Sequence, residues 1–312
     1  RANAREVYKA LTAVDFMAVA DFFLTPTAEL ADIVLPAATW LEMDYIGDFW
    51  KRHGYLLPRR KVIHVGECRS DHAMLNDLAH RVGQGEHWWD DFEGGLDYIL
   101  EPSGITWQEF KQMEFIRGEV THFKYRERGF STPTKKFELY STLLENWGYD
   151  PLPRYQEPPE SPVSTPALHR GYPYILITGA RSPGFFHTEN RQVPWLRDLH
   201  PDPVVEIHPD TARKEGIADN DWVVIESPRG RIRQRAKIFA GIDPRVVHAQ
   251  HGWWFPEKGD TGHGWDESNV NILTDNAFES CDPAMGATSV RTLLCVIRPE
   301  KINHQERKRL NE

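Results

Sequence analysis

A proline-rich segment in the middle of the chain limits what the sequence can fold into. Residues 151–166 (PLPRYQEPPESPVSTP) hold six prolines. Because proline lacks the backbone N–H and fixes φ, a run this dense excludes a regular helix and a central strand. The segment is therefore predicted to be an extended connector, and domain boundaries commonly fall in such segments. The chain has 312 residues, which is enough for two modest domains with cores of their own.

The part before the connector has the pattern of an incomplete α/β layer. Residues 13–24 (AVDFMAVADFFL) predict a buried strand, and a short helix over 27–32 and a second strand over 33–35 follow it. Residues 70–83 predict a helix with Ser70 as its N-cap and Gly83 as its stop. Its expected buried face consists of Leu75, Leu78, Ala79 and Val82. Strand, turn, strand and helix in this order are typical of the end of an α/β layer.

The part after the connector is rich in short strands. A hairpin is predicted around residues 228–230 (PRG), and residues 209–216 (PDTARKEG) predict one short helix. Several short strands with turn signals and a single helix favour a small barrel over a parallel sheet. The strands are predicted at residues 174–178, 204–208, 222–227, 231–240, 246–250 and 290–297.

Composition excludes several classes of function. The formal net charge of −9 makes binding to nucleic acid unfavourable for the whole chain. No apolar run has the length of a membrane span, and the chain begins without a signal-peptide pattern. The three cysteines are far apart, so neither a zinc ribbon nor an iron–sulfur cluster is predicted, and a cytoplasmic and a periplasmic location both stay open.

A polar segment directly after the first barrel strand is the strongest candidate site. Gly179 ends that strand, where a glycine lets a ligand approach the backbone. Forked and paired hydrogen-bonding groups follow within a dozen residues, which suits a flat heterocycle or a diphosphate. A polar surface loop is the plainer alternative. The side chains concerned are Arg181, His187, Thr188, Asn190 and Gln192.

Three further patterns have plainer explanations. Arg231, Arg233, Arg235 and Lys237 alternate along one strand, which predicts a solvated outer face, with Arg233 expected to tolerate substitution. His248 and His251 lie at an odd separation on a strand, so they point to opposite faces and are rejected as a metal pair. Residues 251–256 (HGWWFP) are either core or a stacking wall for a heterocycle.

An ordered set of motifs resembles the DMSO-reductase family of molybdopterin oxidoreductases. In the first half these are residues 25–28 (TPTA), 31–37 (ADIVLPA) and 136–141 (KFELYS). In the second half they are residues 178–181 (TGAR), 187–188 (HT), the I-H-P-x-x-A-x-x-x-G-I run from Ile207, 227–230 (SPRG), and Asn269 with residues 271–274 (NILT). The resemblance extends from about Ala2 to about Pro299.

The resemblance implies a fold and a cofactor. It implies a partial α/β layer followed by a double-psi β-barrel that closes over a bis-molybdopterin guanine dinucleotide with molybdenum or tungsten. Residues 1–90 would be the C-terminal part of the α/β molybdopterin-binding domain, 91–166 an irregular connecting segment, and 167–312 the barrel. The cofactor-binding residues implied are Thr178, Gly179, Arg181, His187, Thr188, Gln192 and Asn269, with His251, Trp253 and Asn271.

The resemblance also implies what to expect outside these residues. A metal ligand and iron–sulfur cysteines, usual in the N-terminal half of family members, are lacking here, so no metal-binding or catalytic residue is assigned. The chain is interpreted as the C-terminal portion of a longer or split enzyme and is expected to be inactive alone. Its expected partners are the missing N-terminal half and an iron–sulfur electron-transfer subunit. The substrate would be a sulfur compound or formate. The alternatives are a non-redox hydratase of the acetylene-hydratase type and a catalytically silent binding module.

Overall fold

The structure, a computed structural model, describes residues 1–48, 54–259 and 262–300. The chain forms two compact units, one of residues 1–15 and 139–312 and the other of residues 16–138. The units are defined by contacts and not by function, so the functional division predicted at residues 90 and 166 stays a prediction.

The first unit is built around a closed barrel of six strands. The strands are β6 (Tyr174–Ala180), β7 (Val204–Ile207), β8 (Trp222–Ser227), β9 (Gly230–Ile238), β10 (Val246–Gln250) and β11 (Leu293–Pro299). Going round the barrel, the order is β10, β6, β11, β8, β9 and β7, with β10–β6 and β7–β9 parallel and the other neighbours antiparallel. This confirms the predicted barrel and rules out a parallel sheet in this unit.

The barrel closes because alternate side chains of each strand are apolar and point inward. Leu176, Val205, Ile225, Val247 and Ile297 are all fully buried in one cluster. Burying an aliphatic side chain of this kind contributes about 1.5–3 kcal/mol relative to leaving it exposed. The fully buried Gln234 is polar, and its side chain donates to the carbonyl oxygens of Gln250 and Ser268 at 2.8 and 3.2 Å.

The predicted hairpin joins β8 to β9, and its outer face differs from the prediction. Ile232 and Ala236 point inward while Arg231, Arg233 and Arg235 alternate with them on the outside. Arg233 is nevertheless only half-exposed. It forms ion pairs with Glu267 at 2.8 Å and Glu300 at 3.1 Å and lies over the Trp222 ring. The prediction of a merely solvated arginine at 233 is therefore wrong, because neighbouring elements bring carboxylates and an aromatic ring to it.

The connector has the predicted irregular character and is anchored to the barrel. Residues 151–165 contain neither helix nor strand. The Glu160 carboxylate accepts hydrogen bonds from Arg229 at 2.8 Å and from the backbone N–H of Leu294 at 2.5 Å. Both side chains of this ion pair are largely buried. The connector is thus tied to the hairpin turn and to the last strand.

The second unit contains two small sheets. Strands β3 (Tyr45–Asp48), β4 (Tyr55–Arg59) and β5 (Ile116–Arg117) are antiparallel. Its core is formed by Ile46, Leu96, Leu100, Trp107 and Phe110, all nearly or fully buried. Strands β1 (Ala18–Asp21) and β2 (Ile33–Pro36) form a separate parallel pair.

The β1–β2 pair is more exposed than the sequence predicted. Phe16 is 63% exposed, and Phe22 and Leu24 are 57% and 60% exposed. The prediction of a buried strand over residues 13–24 is wrong, because only Ala18–Asp21 is a strand. Among the described residues, β1 pairs with β2 and with no other strand. Parallel strands are normally covered on both faces, whereas β2 is exposed along its whole length.

The predicted helix at residues 70–83 is confirmed, but of its predicted buried face only Ala79 is buried. It spans Asp71–Arg81, and the Ser70 side chain accepts from the backbone N–H of Ala73 as an N-cap. Leu75 and Leu78 are about half-exposed, whereas Asn76 and Ala79 are buried. Asn76 donates to the carbonyl oxygen of Trp89, so the helix packs through its polar side on residues 85–100.

The remaining helices are short, and none in the described part is long and apolar enough to cross a membrane. In chain order the α-helices of the described residues are α1 (Ala4–Thr12), α2 (Asp71–Arg81), α3 (Phe92–Leu100), α4 (Trp107–Phe110), α5 (Tyr125–Arg128), α6 (Thr142–Asn146), α7 (Pro166–Gly171), α8 (Pro194–Leu199), α9 (Pro209–Glu215) and α10 (Trp265–Ser268).

The cysteines should differ in reactivity. Burial and the nearby Glu160 carboxylate raise the pKa of the Cys295 thiol, whereas Cys281 is partly exposed. Since the thiolate is the reacting form, we expect iodoacetamide to modify Cys281 in the native protein and Cys295 only after unfolding. Peptide mass spectrometry with and without denaturant measures this. Equal native rates at the two thiols would contradict the burial of Cys295.

Candidate functional site

The candidate site begins where β6 ends. Gly179 has φ +108°, and a β-carbon built there would have no atom within 4 Å, so the backbone borders open space. Thr178 is held in place because its hydroxyl donates to the carbonyl oxygen of Val290 at 2.6 Å. Arg181 follows, and this exposed side chain makes no hydrogen bond with any described residue. The strand end therefore offers accessible backbone next to a guanidinium that is available for a ligand.

Two histidines from different segments meet at this strand end. His187 Nδ1 lies 2.9 Å from His251 Nε2, and His251 Nδ1 lies 3.2 Å from the carbonyl oxygen of Ala180. A carbonyl oxygen can only accept, so His251 carries its proton on Nδ1. A neutral His251 then accepts on Nε2, and His187 must donate from Nδ1. When His187 is also neutral, its Nε2 atom keeps a free lone pair.

The environment keeps His251 neutral. Burial lowers its pKa, the bond to Ala180 opposes this, and the charges of His187, Arg181 and Arg191 lower it further. A group with a lowered pKa among cations resists protonation at neutral pH. The histidine pair therefore shares a single defined hydrogen bond under these conditions.

Arg191 lies buried between the two site segments. It is 1% exposed, and its guanidinium stacks between the rings of Phe185 at 4.0 Å and Trp253 at 4.2 Å. Its Nη2 donates to the carbonyl oxygens of His187 at 3.0 Å and Gly252 at 3.3 Å. Arg191 was not among the residues singled out from the sequence, because nothing in the pattern distinguishes it from its polar neighbours.

The positive charge on Arg191 has no carboxylate partner among the described residues. Burial first and the nearby Arg197 second lower its pKa to about 9. It thus remains a cation at neutral pH. Arg197 lies against the same Trp253 ring at 5.0 Å and is paired with Glu257 at 2.7 Å. Cations over an indole face are favourable, and the desolvated case is the stronger one.

The two site segments approach each other closely at a glycine. Gly252 has φ +70°, and a β-carbon built there would lie 2.8 Å from the carbonyl oxygen of His187. Trp254 adds a second link, because its indole N–H donates to the carbonyl oxygen of Thr188 at 3.1 Å. Residues 187–188 and 251–254 are therefore held in one arrangement.

Several polar atoms of the site have no partner. The Gln192 Oε1, Ser182 Oγ and Arg191 Nε and Nη1 atoms are buried without a hydrogen bond in the described structure. Buried polar groups are normally paired, so such a cluster calls for an explanation. The exposed Arg181 beside the open backbone at Gly179 fits a ligand with acceptors, such as a pterin or a diphosphate, and Gln192 Oε1 would accept from an N–H group of a pterin.

The two predicted asparagines lie in a different segment. The Asn269 side chain accepts from the backbone N–H of Asn271 at 3.0 Å, and the Asn271 carbonyl oxygen accepts from Thr274. Neither asparagine contacts the histidine pair in the described structure. The structure thus brings together Gly179, His187, Thr188, His251 and Trp253, with Arg181 and Gln192 adjacent. The described residues contain no group of three His, Cys, Asp or Glu side chains suited to a metal.

Comparisons with known proteins identify the domains that the chain contains. Residues 174–293 match the family model described as the molybdopterin dinucleotide binding domain, and residues 1–81 match that described as molybdopterin oxidoreductase. Acetylene hydratase of Syntrophotalea acetylenica is 33% identical, with 93% of this chain and 41% of the relative covered. The alpha subunit of an F420-dependent formate dehydrogenase of Methanocaldococcus jannaschii is 31% identical, with 89% and 38% covered.

A solved structure is similar over the same length. Acetylene hydratase from Pelobacter acetylenicus superposes with a TM-score of 0.87 at 31% identity, covering 96% of this chain and 42% of that one. The chain thus spans about two fifths of the length of the relatives it matches. Both family models occur in the expected order, and the barrel that carries the histidine pair is the matched cofactor-binding domain. The chain belongs to the DMSO-reductase family of molybdopterin oxidoreductases and corresponds to a portion of such an enzyme.

Proposed function

We propose that the end of β6 binds the molybdopterin dinucleotide, in the bis-guanine form with molybdenum or tungsten. The observation that carries this proposal is the open backbone at Gly179 close to the exposed Arg181, which makes no hydrogen bond with any described residue. Arg181 would neutralise a phosphate, and His187 and Gln192 would hydrogen-bond the heterocycle. The barrel would be of the double-psi type, with Asn269 and Asn271 reaching the cofactor from their own segment.

The bound cofactor would supply the redox or Lewis-acid chemistry, and the protein would position and tune it. The residues of this chain would bind and orient the group, and its reacting metal would face residues supplied by the rest of the enzyme. The whole protein would then be an oxidoreductase acting on a sulfur compound or formate.

A non-redox hydratase is the second candidate, supported by the TM-score of 0.87 with acetylene hydratase. The two candidates differ in one measurable respect. An oxidoreductase requires an electron donor or acceptor for turnover, whereas a hydratase adds water at an unchanged rate when the external electron carrier is withheld. A silent binding module would contain no pterin fluorescence after acid oxidation and no molybdenum or tungsten.

We further propose that the incomplete β1–β2 sheet is completed by the rest of the enzyme. Phe16, Phe22 and Leu24 are large apolar side chains that lie exposed beside this sheet, and such side chains are commonly covered by another protein. An iron–sulfur electron-transfer subunit is proposed as a further partner of the redox enzyme.

The chain alone should be inactive and should associate through this surface. We expect a substitution of Phe16 and Phe22 by serine to reduce binding of an apolar fluorescent dye and to shift the oligomeric state toward monomer. Dye fluorescence and light scattering after size exclusion measure this. A monodisperse wild-type monomer without dye binding, or turnover by the cofactor-loaded chain alone, would refute the proposal.

Arg181→Ala tests the cofactor site in the holoenzyme. Losing a charged hydrogen-bonding partner in a dry site costs about 2–5 kcal/mol, so bound metal and pterin should both fall strongly. Arg213→Ala is the control, because Arg213 lies on the surface of α9 in an exposed pair with Asp210. Metal per protein is measured by mass spectrometry and folding by circular dichroism. Full occupancy in Arg181→Ala, or an equal loss in both variants, would overturn the assignment.

A further inference from the structure

Arg191 has the contacts of an organising residue and lacks those of a ligand-binding one. Its atoms are buried, its two faces are covered by Phe185 and Trp253, and its Nη2 reaches carbonyl oxygens on both site segments. A third carbonyl oxygen, that of His251, lies 3.5 Å from the same atom. Since those carbonyls belong to His187, His251 and Gly252, one guanidinium fixes the backbone that carries both histidines.

The protonation state of the histidine pair follows from this backbone. His251 can donate to the Ala180 carbonyl only while its Nδ1 edge faces β6, which leaves Nε2 to accept from His187. A proton added at His251 Nε2 would place two N–H groups against each other. His251 therefore resists protonation for as long as this geometry holds.

We propose that Arg191 is the positioning residue of the His187–His251 pair and that it holds His251 in the Nδ1–H tautomer, with Nε2 accepting from His187. Its Nη2 group holds the two segments in register, and its charge disfavours a proton on His251 Nε2. The charged and titratable groups around His251 are His187, Arg181 and Arg191, so the cations act in the same direction.

Arg197 provides a matched control. It lies against the same Trp253 ring and is also an arginine, but its hydrogen bond goes to Glu257 and not to the carbonyls of the site. A purely structural role of either arginine in supporting Trp253 would affect both variants alike. A role in positioning the histidines would affect only Arg191.

The experiment is a pH titration of the chain labelled with ¹⁵N at histidine. The ¹⁵N chemical shifts of the imidazole nitrogens report the tautomer and the protonation midpoint of each histidine. The variants His187→Gln and His251→Gln assign the signals. In the wild type, His251 should be the Nδ1–H tautomer with a midpoint below that of free imidazole. Arg191→Met should raise this midpoint by about half a pH unit or more, since a neighbouring like charge is removed, and should mix the tautomers. Arg197→Met should change neither quantity.

Arg191→Lys separates charge from geometry. A lysine retains the charge but not the planar guanidinium that reaches the carbonyl oxygens of both segments. The midpoint of His251 should therefore stay low while its two tautomers mix. If Arg191→Met does not fold, the wild type and Arg191→Lys decide the question. A wild-type His251 in the Nε2–H tautomer, an unchanged midpoint in Arg191→Met, or equal shifts in Arg191→Met and Arg197→Met would overturn the proposal. The inference rests on the proposed function only for the identity of the ligand next to His187. The titration needs no cofactor, so its outcome is independent of the Arg181→Ala result.

Discussion

Replacing Gly252 with alanine is expected to destabilise the barrel unit by about 3–5 kcal/mol, since two costs add. A non-glycine residue at φ +70° is strained by about 1–2 kcal/mol. The new methyl group would also lie 2.8 Å from the carbonyl oxygen and 2.9 Å from the carbonyl carbon of His187, and backbone atoms cannot move aside cheaply. Denaturant unfolding measures the free-energy change.

Gly216→Ala is the control for the strain alone. Gly216 has φ +68°, almost the same as Gly252, but a β-carbon there would meet no atom within 4 Å. Its substitution should cost about 1 kcal/mol. If the two alanine variants lose equal stability, the close approach of residue 252 to His187 does not contribute to the destabilisation by Gly252→Ala. The difference between them measures the contact that holds the two site segments together.

Arg229→Met is expected to cost about 3–5 kcal/mol. Arg229 and Glu160 form a largely buried ion pair in which Arg229 also donates to the Leu273 carbonyl oxygen at 2.7 Å. Removing one partner leaves a buried charge uncompensated, which is the costly case for such pairs. The double variant Arg229→Met with Glu160→Gln should recover part of the loss. Thermal and denaturant unfolding of the single and double variants measure the coupling.

The exposed pair of Arg213 and Asp210 is the comparison for this ion pair. Both side chains are more than 60% exposed. Arg213→Met should therefore cost less than about 0.5 kcal/mol. A loss at Arg229 no larger than at Arg213 would show that the connector is not anchored through Glu160.

Local sequence signals predicted most elements of the barrel correctly. The hairpin at residues 228–230 and the strands at 174, 204, 222 and 246 begin within a residue of their predicted positions. The helix over Asp71–Arg81 begins at the predicted Ser70 cap. These features depend on turn chemistry, capping and period-two alternation, which act between residues close in sequence. The ordered motifs likewise identified the family before the fold was known.

Burial was less predictable because it depends on neighbours distant in sequence. The apolar face of α2 and the strand at β1 had the pattern of buried elements, yet Leu78 and Phe22 are more than half-exposed. Conversely, Arg233 had the pattern of a solvated arginine, and two carboxylates from distant segments pair with it. Periodicity indicates which face could be buried, and only the packing partner decides whether it is.

The sequence by itself determined the polar segment after Gly179, the family and the residue types available to a cofactor. Only the tertiary structure decided that His187 meets His251 across 63 intervening residues, that Gly252 brings the two segments into contact, and that Arg191 lies buried between them. The physical reason is that these contacts arise from closure of the barrel, which places β10 beside β6. Residues on adjacent strand ends become neighbours through strand order, and strand order is set by the pairing of the whole barrel, which no local pattern encodes.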